Sequence, residues 1–75
     1  MTDAPDRMTQ TIATQLIIDR VAGALTARQF TIWKWREING TSFRVMADRL
    51  GISEQAVAAH YRAAKRKVAR IDWTA

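Results

Sequence analysis

The chain has 75 residues, 48% of them apolar and 25% charged, which is typical of one small globular domain. It has no cysteine and a single histidine, so disulfides, thiol nucleophiles, cysteine-ligated zinc and an all-histidine metal site are excluded. The net charge is +5: five Lys/Arg oppose four Asp/Glu in residues 1–40, and seven oppose three in residues 41–75, which favours either a polyanion partner or a solvated helix face.

The start of the chain carries acidic residues where a signal peptide carries basic ones, and no apolar run approaches the roughly 18 residues of a membrane span. We therefore expect a soluble, cytoplasmic protein with no membrane partner. Helical spacing recurs throughout the sequence while strand alternation is absent, which predicts an all-α fold.

The first helix is predicted from about Asp6 to Ala24. Its apolar residues fall on one stripe: Met8, Ile12, Leu16 and Ile17, with Val21 near the edge. This stripe is expected either to cover the core or to contact another chain.

The second helix is predicted to begin at a capping box formed by Thr26 and Gln29, and to stop at Asn39-Gly40, where glycine suits a left-handed backbone. Its apolar residues point nearly all round the helix: Phe30, Ile32, Trp33, Trp35 and Ile38. We therefore expect one face to pack on the following helices and another on the first helix or a partner chain, with both tryptophans in the core.

A short third helix is predicted, with Ser42 or Thr41 as its cap and Gly51 at its end. Its apolar face is expected to consist of Val45, Met46 and Leu50.

The fourth helix is predicted from about Glu54 to Arg70, with Ser53 as its cap. An apolar stripe consists of Val57, Tyr61, Ala64, Val68 and Ile71. The opposite face consists of Gln55, Ala59, Arg62, Arg66 and Arg70, flanked by Lys65 and Lys67. Beyond this helix, we expect Trp73 to fold back on the core.

The connection Leu50-Gly51-Ile52-Ser53 indicates a helix-turn-helix rather than an ordinary pair of packed helices. Ala47 allows the two helices to cross closely, Gly51 permits the turn, and Val57 fills the space between them. Because the caps, the apolar positions and the basic extension agree, we predict a small bundle of four helices containing a helix-turn-helix. The expected division is residues 1–24 as an N-terminal helix, 25–71 as the helix-turn-helix domain and 72–75 as a tail.

Five stretches of the chain resemble region four of bacterial sigma factors: residues 25–29 (LTARQ), 32–35 (IWKW), 39–43 (NGTSF), 46–53 (MADRLGIS) and 57–68 (VAAHYRAAKRKV). The chain also resembles the LuxR-type DNA-binding domain, which shares the arrangement of Ser53, Val57 and His60. The resemblance covers about Leu25 to Arg70 and implies a bacterial or phage-encoded transcription regulator that binds DNA.

Several residues depart from the family's pattern. Val45 replaces the usual glutamate, and Ala56 and Ala58 replace more polar residues beside Val57, which leaves sequence-specific reading of DNA open. Phe30, Trp33 and Trp35 are bulkier or more apolar than usual, which suggests an additional packing surface.

The fourth helix is expected to enter the major groove of duplex DNA. The residues expected to face base edges are Ser53, Glu54, Gln55, Ala58, Ala59 and Arg62. Gln55 can pair with adenine, Glu54 can accept from cytosine and Arg62 can pair with guanine, while an alanine can touch a thymine methyl. The residues expected at phosphates are Arg44, His60, Lys65, Arg66 and Arg70.

Few of these side chains can read a base, so a single domain is expected to bind weakly and to need help. The expected partners are double-stranded DNA together with a second copy of the chain, another transcription factor, or RNA polymerase core, the last implied by the resemblance. A phage small-terminase-like subunit and a protein-interaction module remain the alternatives. No nucleophile–base spacing occurs, so we expect no enzymatic activity, and we expect no cofactor.

Overall fold

A computed structural model describes the backbone of residues 3–74 and the side chains of residues 12–74. Over these residues the chain forms four helices and no strand, which confirms the all-α prediction. The helices are α1 (Asp3–Ala24), α2 (Ala27–Glu37), α3 (Phe43–Leu50) and α4 (Glu54–Ala69). α1 begins earlier than predicted, and the side chain of Met8 lies outside the described residues. None of the described helices is long and apolar enough to cross a membrane.

Short-range side-chain caps fix where α2, α3 and α4 begin. At α2 the predicted capping box is present: the Gln29 N–H donates to Thr26 Oγ1 (3.2 Å), and the Thr26 N–H donates to Gln29 Oε1 (3.1 Å). Ser42, not Thr41, caps α3 by accepting from the Val45 N–H (3.2 Å). Each such cap stabilises its helix by about 1 kcal/mol.

One core cluster holds α2, α3 and α4 together. Its buried residues are Ile32, Met46, Ala47 and Val57, and Trp35, Phe43, Leu50, Ile52 and Tyr61 pack against them. Burying a side chain such as Ile32 or Met46 stabilises the fold by about 2–3 kcal/mol. Val45 does not join this cluster and is exposed, because it lies a further 100° around α3 from Met46, away from α4. The prediction that Val45 belongs to the apolar face of α3 is wrong.

A second cluster attaches the end of α1 to the other side of α2. Its buried residues are Val21, Trp33 and Ala64, and Leu25, Phe30, Tyr61, Val68 and Ile71 pack against them. The rings of Phe30 and Trp33 are stacked with centroids 6.4 Å apart. α2 is thus buried on two sides, as its all-round apolar pattern predicted.

Most of the predicted stripe on α1 lies outside both clusters. Val21 is buried, but Ile12 and Leu16 are 57% and 64% exposed, and Ile17 is also exposed. For Leu16 the reason is geometric, because it is five residues from Val21, which places the two side chains about 140° apart around a helix. Trp73 is 48% exposed and packs against neither cluster, so the expectation that it folds back on the core is wrong.

Candidate nucleic-acid interface

The turn between α3 and α4 has the geometry of a helix-turn-helix. Gly51 adopts a left-handed conformation with φ +68° and ψ +34°, and the Ile52 N–H donates to the Ala47 carbonyl (3.1 Å), which closes the end of α3. Ala47 is 6% exposed and Val57 is fully buried, so the small side chain lies at the helix crossing and the valine fills the angle between the helices. The predicted roles of these residues agree with their positions.

The first turn of α4 presents polar groups to solvent. Ser53 Oγ accepts a hydrogen bond from the Ala56 N–H (3.0 Å), so this hydroxyl caps the helix and keeps its own proton to donate. Glu54 and Gln55 are exposed, as are Ala59 and Arg62 farther along. Of the six predicted base-reading residues, only Ala58 is half-buried.

The face of α4 opposite its core side is exposed over its whole length. Arg62, Arg66 and Arg70 recur every four residues along it, and Arg44 is exposed at the start of α3. The side chains of these four arginines make no hydrogen bond, ion pair or ring contact with any residue that the structure describes. Their guanidinium groups are therefore available to an anionic ligand.

Two other arginines, Arg36 and Arg49, are already engaged within the domain. Arg36 lies over the Phe43 ring at 4.9 Å and donates to the Thr41 carbonyl (3.3 Å). Arg49 lies over the Trp35 ring at 5.8 Å. These contacts hold α2 against α3. Arg36 and Arg49 therefore have a structural role, unlike the four arginines whose side chains have no partner in the described part of the chain.

Lys65 differs from the other residues predicted to contact phosphate. Its Nζ donates to Glu37 Oε1 (2.9 Å), and the same oxygen accepts from the Tyr61 hydroxyl (3.0 Å). The Lys65 ammonium is therefore directed toward α2 and not along the exposed face of α4. His60, also predicted at phosphate, is half-buried.

This three-residue cluster changes the acidity of its members. The hydrogen bond from Lys65 is the largest cause of a lowered pKa for Glu37, and the same bond raises the pKa of Lys65. Burial, followed by the bond to Glu37, raises the pKa of Tyr61. At neutral pH, Glu37 and Lys65 are therefore both charged and Tyr61 is neutral.

Sequence reasoning missed Glu37, because the two residues that it binds are 24 and 28 positions away. No local pattern marks such a pair. A further cross-link joins Lys67 Nζ to Gln29 Oε1 (2.8 Å), the oxygen that also completes the α2 capping box. Two lysines of α4 thus hold it against α2, while its arginines stay open.

A family model described as Sigma-70, region 4 matches residues 15–68. The match begins within α1, earlier than Leu25, where the resemblance was expected to begin. This agrees with the burial of Val21 against Trp33 and Ala64, which makes the end of α1 part of the packed domain. The likeness to LuxR-type domains stays a prediction.

Comparisons with curated proteins and with solved structures gave no match. The family match nevertheless covers well over half of the chain, and it includes α3, the turn and α4 up to Val68. The chain therefore belongs to the sigma-70 region 4 family of helix-turn-helix DNA-binding domains.

Proposed function

We propose that this chain is a transcription regulator that reads a specific duplex sequence with α4 in the major groove. The observation that carries the proposal is the row of open arginines on α4 and at the start of α3. Lys65, Arg36 and Arg49 are engaged elsewhere, by an ion pair or an aromatic ring. Four arginine side chains are exposed and have no partner among the described residues: Arg44, Arg62, Arg66 and Arg70. A surface of this kind suits a phosphate backbone.

Base reading is assigned to the first half of α4. Gln55 suits adenine, Glu54 suits cytosine and Arg62 suits guanine, since each presents the matching donors or acceptors. Ser53 can donate through its hydroxyl. Exposed Ala59, with Ala58 beside it, allows close approach and contact with a thymine methyl.

Phosphate contacts are assigned to the outer residues of this surface. Arg44 lies at one end of the helix-turn-helix, and Arg66 and Arg70 lie toward the end of α4. His60 belongs to the same predicted set. Lys65 contributes less, because Glu37 compensates its charge at 2.9 Å.

We also propose a protein partner in transcription, either RNA polymerase core or another transcription factor. Domains of this family often bind RNA polymerase as well as DNA, and few side chains of α4 can hydrogen-bond to bases. A second contact would add the affinity that a single recognition helix lacks.

The proposal is tested by removing two open arginines together, Arg62→Ala with Arg66→Ala, and measuring duplex binding by fluorescence anisotropy at about 0.15 M salt. We expect binding to be lost without a change in the melting temperature. The matched control is Arg28→Ala with Lys34→Ala, which removes the same charge from exposed positions of α2 and should bind nearly as well as the parent chain.

Equal loss in both double variants would mean that net charge alone drives binding and would refute recognition by α4. A parent chain that binds no duplex even at low salt would favour the protein-interaction alternative. Selection of bound duplexes from random sequence, with and without polymerase core, then identifies the operator and tests the second partner.

A further inference from the structure

Residues 12–17 of α1 form an uncharged stretch of helix that the rest of the described chain leaves exposed. Every described residue from Ile12 to Ile17 is exposed, and packing begins only at half-buried Ile18 and buried Val21. No charged residue occurs from Met8 to Ile18, and many residues there are β-branched. A short helix of this composition is marginal by itself in water, so its sequence fits a helix that packs against something.

The outward face of α1 is defined by three residues, Ile12, Leu16 and Gly23. Leu16 and Gly23 are seven residues apart, which places them within about 20° of one another around the helix. A Cβ added at Gly23 would meet no atom within 4 Å, so this chain's own fold does not require glycine there. The open space beside Gly23 belongs to a groove of about 690 Å³ that Leu16, Ala24 and Ile71 also line.

Two side chains of opposite charge flank this face, and their placement determines which partner helix and which orientation would pair with it. Asp19 lies to one side of the Leu16–Gly23 line and Arg20 to the other. When two copies of α1 run parallel about a two-fold axis, Asp19 of one copy lies beside Arg20 of the other on both flanks. In an antiparallel pair, aspartate would face aspartate and arginine would face arginine.

We propose that the protein forms a parallel homodimer through the α1 face Ile12–Leu16–Gly23. Leu16 packs on Leu16 of the second copy, the two glycines allow the helices to approach, and the Asp19–Arg20 pairs fix the orientation. Arg20 already donates to the Asp72 carbonyl (2.6 Å), but a guanidinium has further N–H groups for a carboxylate. The arrangement places both recognition helices at the same end of the dimer.

The mass in solution gives the first test, by light scattering on the whole chain. We expect twice the 8.5 kDa of one chain, and a return to 8.5 kDa for Leu16→Lys, which adds a charge at a position already exposed in the monomer. The matched control Ala22→Lys adds the same charge about 120° away around α1 and should remain dimeric. A monomeric parent chain, or a dimer indifferent to Leu16→Lys, would overturn the proposal.

Orientation and self-pairing are tested separately. Asp19→Arg and Arg20→Asp should each weaken the dimer, while the two together should restore it, because the swapped charges pair again only between identical copies. Arg20→Asp alone and the double variant both lose the hydrogen bond to the Asp72 carbonyl. A difference between their dimerisation affinities therefore reports the charge pairing between the two copies. A double variant no stronger than the single ones would exclude this interface.

The absence of native cysteine allows a cross-linking test. Gly23→Cys should form an intermolecular disulfide on mild oxidation, since a parallel pair brings the two positions within disulfide reach. Ala22→Cys, off the interface, should cross-link far less. Equal cross-linking at both positions, or none at Gly23→Cys in a dimeric sample, would contradict the parallel arrangement.

Discussion

Because Glu37 pairs with Lys65, we predict that it limits how much of the charge of α4 reaches a DNA ligand, and this can be tested with Glu37→Gln. The substitution keeps an oxygen that can accept from Tyr61 but removes the charge that holds Lys65. Both side chains of the ion pair are partly exposed, 54% for Lys65 and 32% for Glu37, so the fold should lose at most about 1 kcal/mol.

The freed lysine should then contact phosphate. One additional neutralised phosphate changes the slope of log K against log salt by about 0.9, which corresponds to about eightfold tighter binding at 0.1 M salt. We therefore expect Glu37→Gln to bind duplex DNA more tightly and to depend more steeply on salt than the parent chain. If Glu37 serves only to hold α2 and α4 together, Glu37→Gln should instead weaken DNA binding.

The assay is anisotropy of a labelled duplex over a series of salt concentrations. Lys65→Met provides the control: it should change binding little in the parent chain but abolish the gain in the Glu37→Gln background, which completes a double-mutant cycle. Affinity and slope that stay the same or fall in Glu37→Gln would refute the reasoning.

Three further predictions concern stability. Gly51→Val should destabilise the fold by about 1–2 kcal/mol, and Gly51→Asn should cost less. The reason is that a Cβ at this position meets no atom within 4 Å, so only the positive φ disfavours a side chain there. Equal melting temperatures of the two variants would contradict this. Ile32→Ala should cost about 2–5 kcal/mol and leave the chain largely unfolded by circular dichroism, unlike the exposed-site variant Ile38→Ala. The pKa of Glu37 is lowered below its ordinary value of 4.5, so the ion pair should stabilise the fold above that pH and cease to do so as the pH falls through the lowered pKa. This contribution to the free energy of unfolding is at most about 1 kcal/mol. Acid denaturation of Glu37→Gln should therefore lack the loss of stability that protonation of Glu37 causes in the parent chain.

The parts of the fold that the sequence predicts well are those set by near neighbours. Thr26 and Gln29 cap α2 within three residues of each other, and Gly51 takes the left-handed conformation that glycine adopts most readily. The apolar stripe of α4 was predicted for the same reason, because helical spacing alone determines which residues share a face.

Contacts between distant parts of the chain could not be predicted in this way. Helical spacing places Leu16 about 140° from Val21, but which of the two faces the core depends on how α1 packs on α2, and only Val21 is buried. The ion pair of Glu37 with Lys65 depends on how α2 crosses α4, which a single sequence does not specify. The prediction that Lys65 contacts phosphate rested on its charge, and charge alone does not distinguish an open cation from a paired one.

Among the described residues, Tyr61 alone packs against both core clusters. Its ring touches Phe43 on the helix-turn-helix side (centroids 5.3 Å apart), and its hydroxyl is held by Glu37. Of the described residues of α1, Val21 alone is buried, so we expect α1 of a single chain to open locally while the rest of the domain stays folded. In hydrogen exchange of the monomeric Leu16→Lys variant, the amides of α1 should therefore exchange through local opening, long before those around buried Met46.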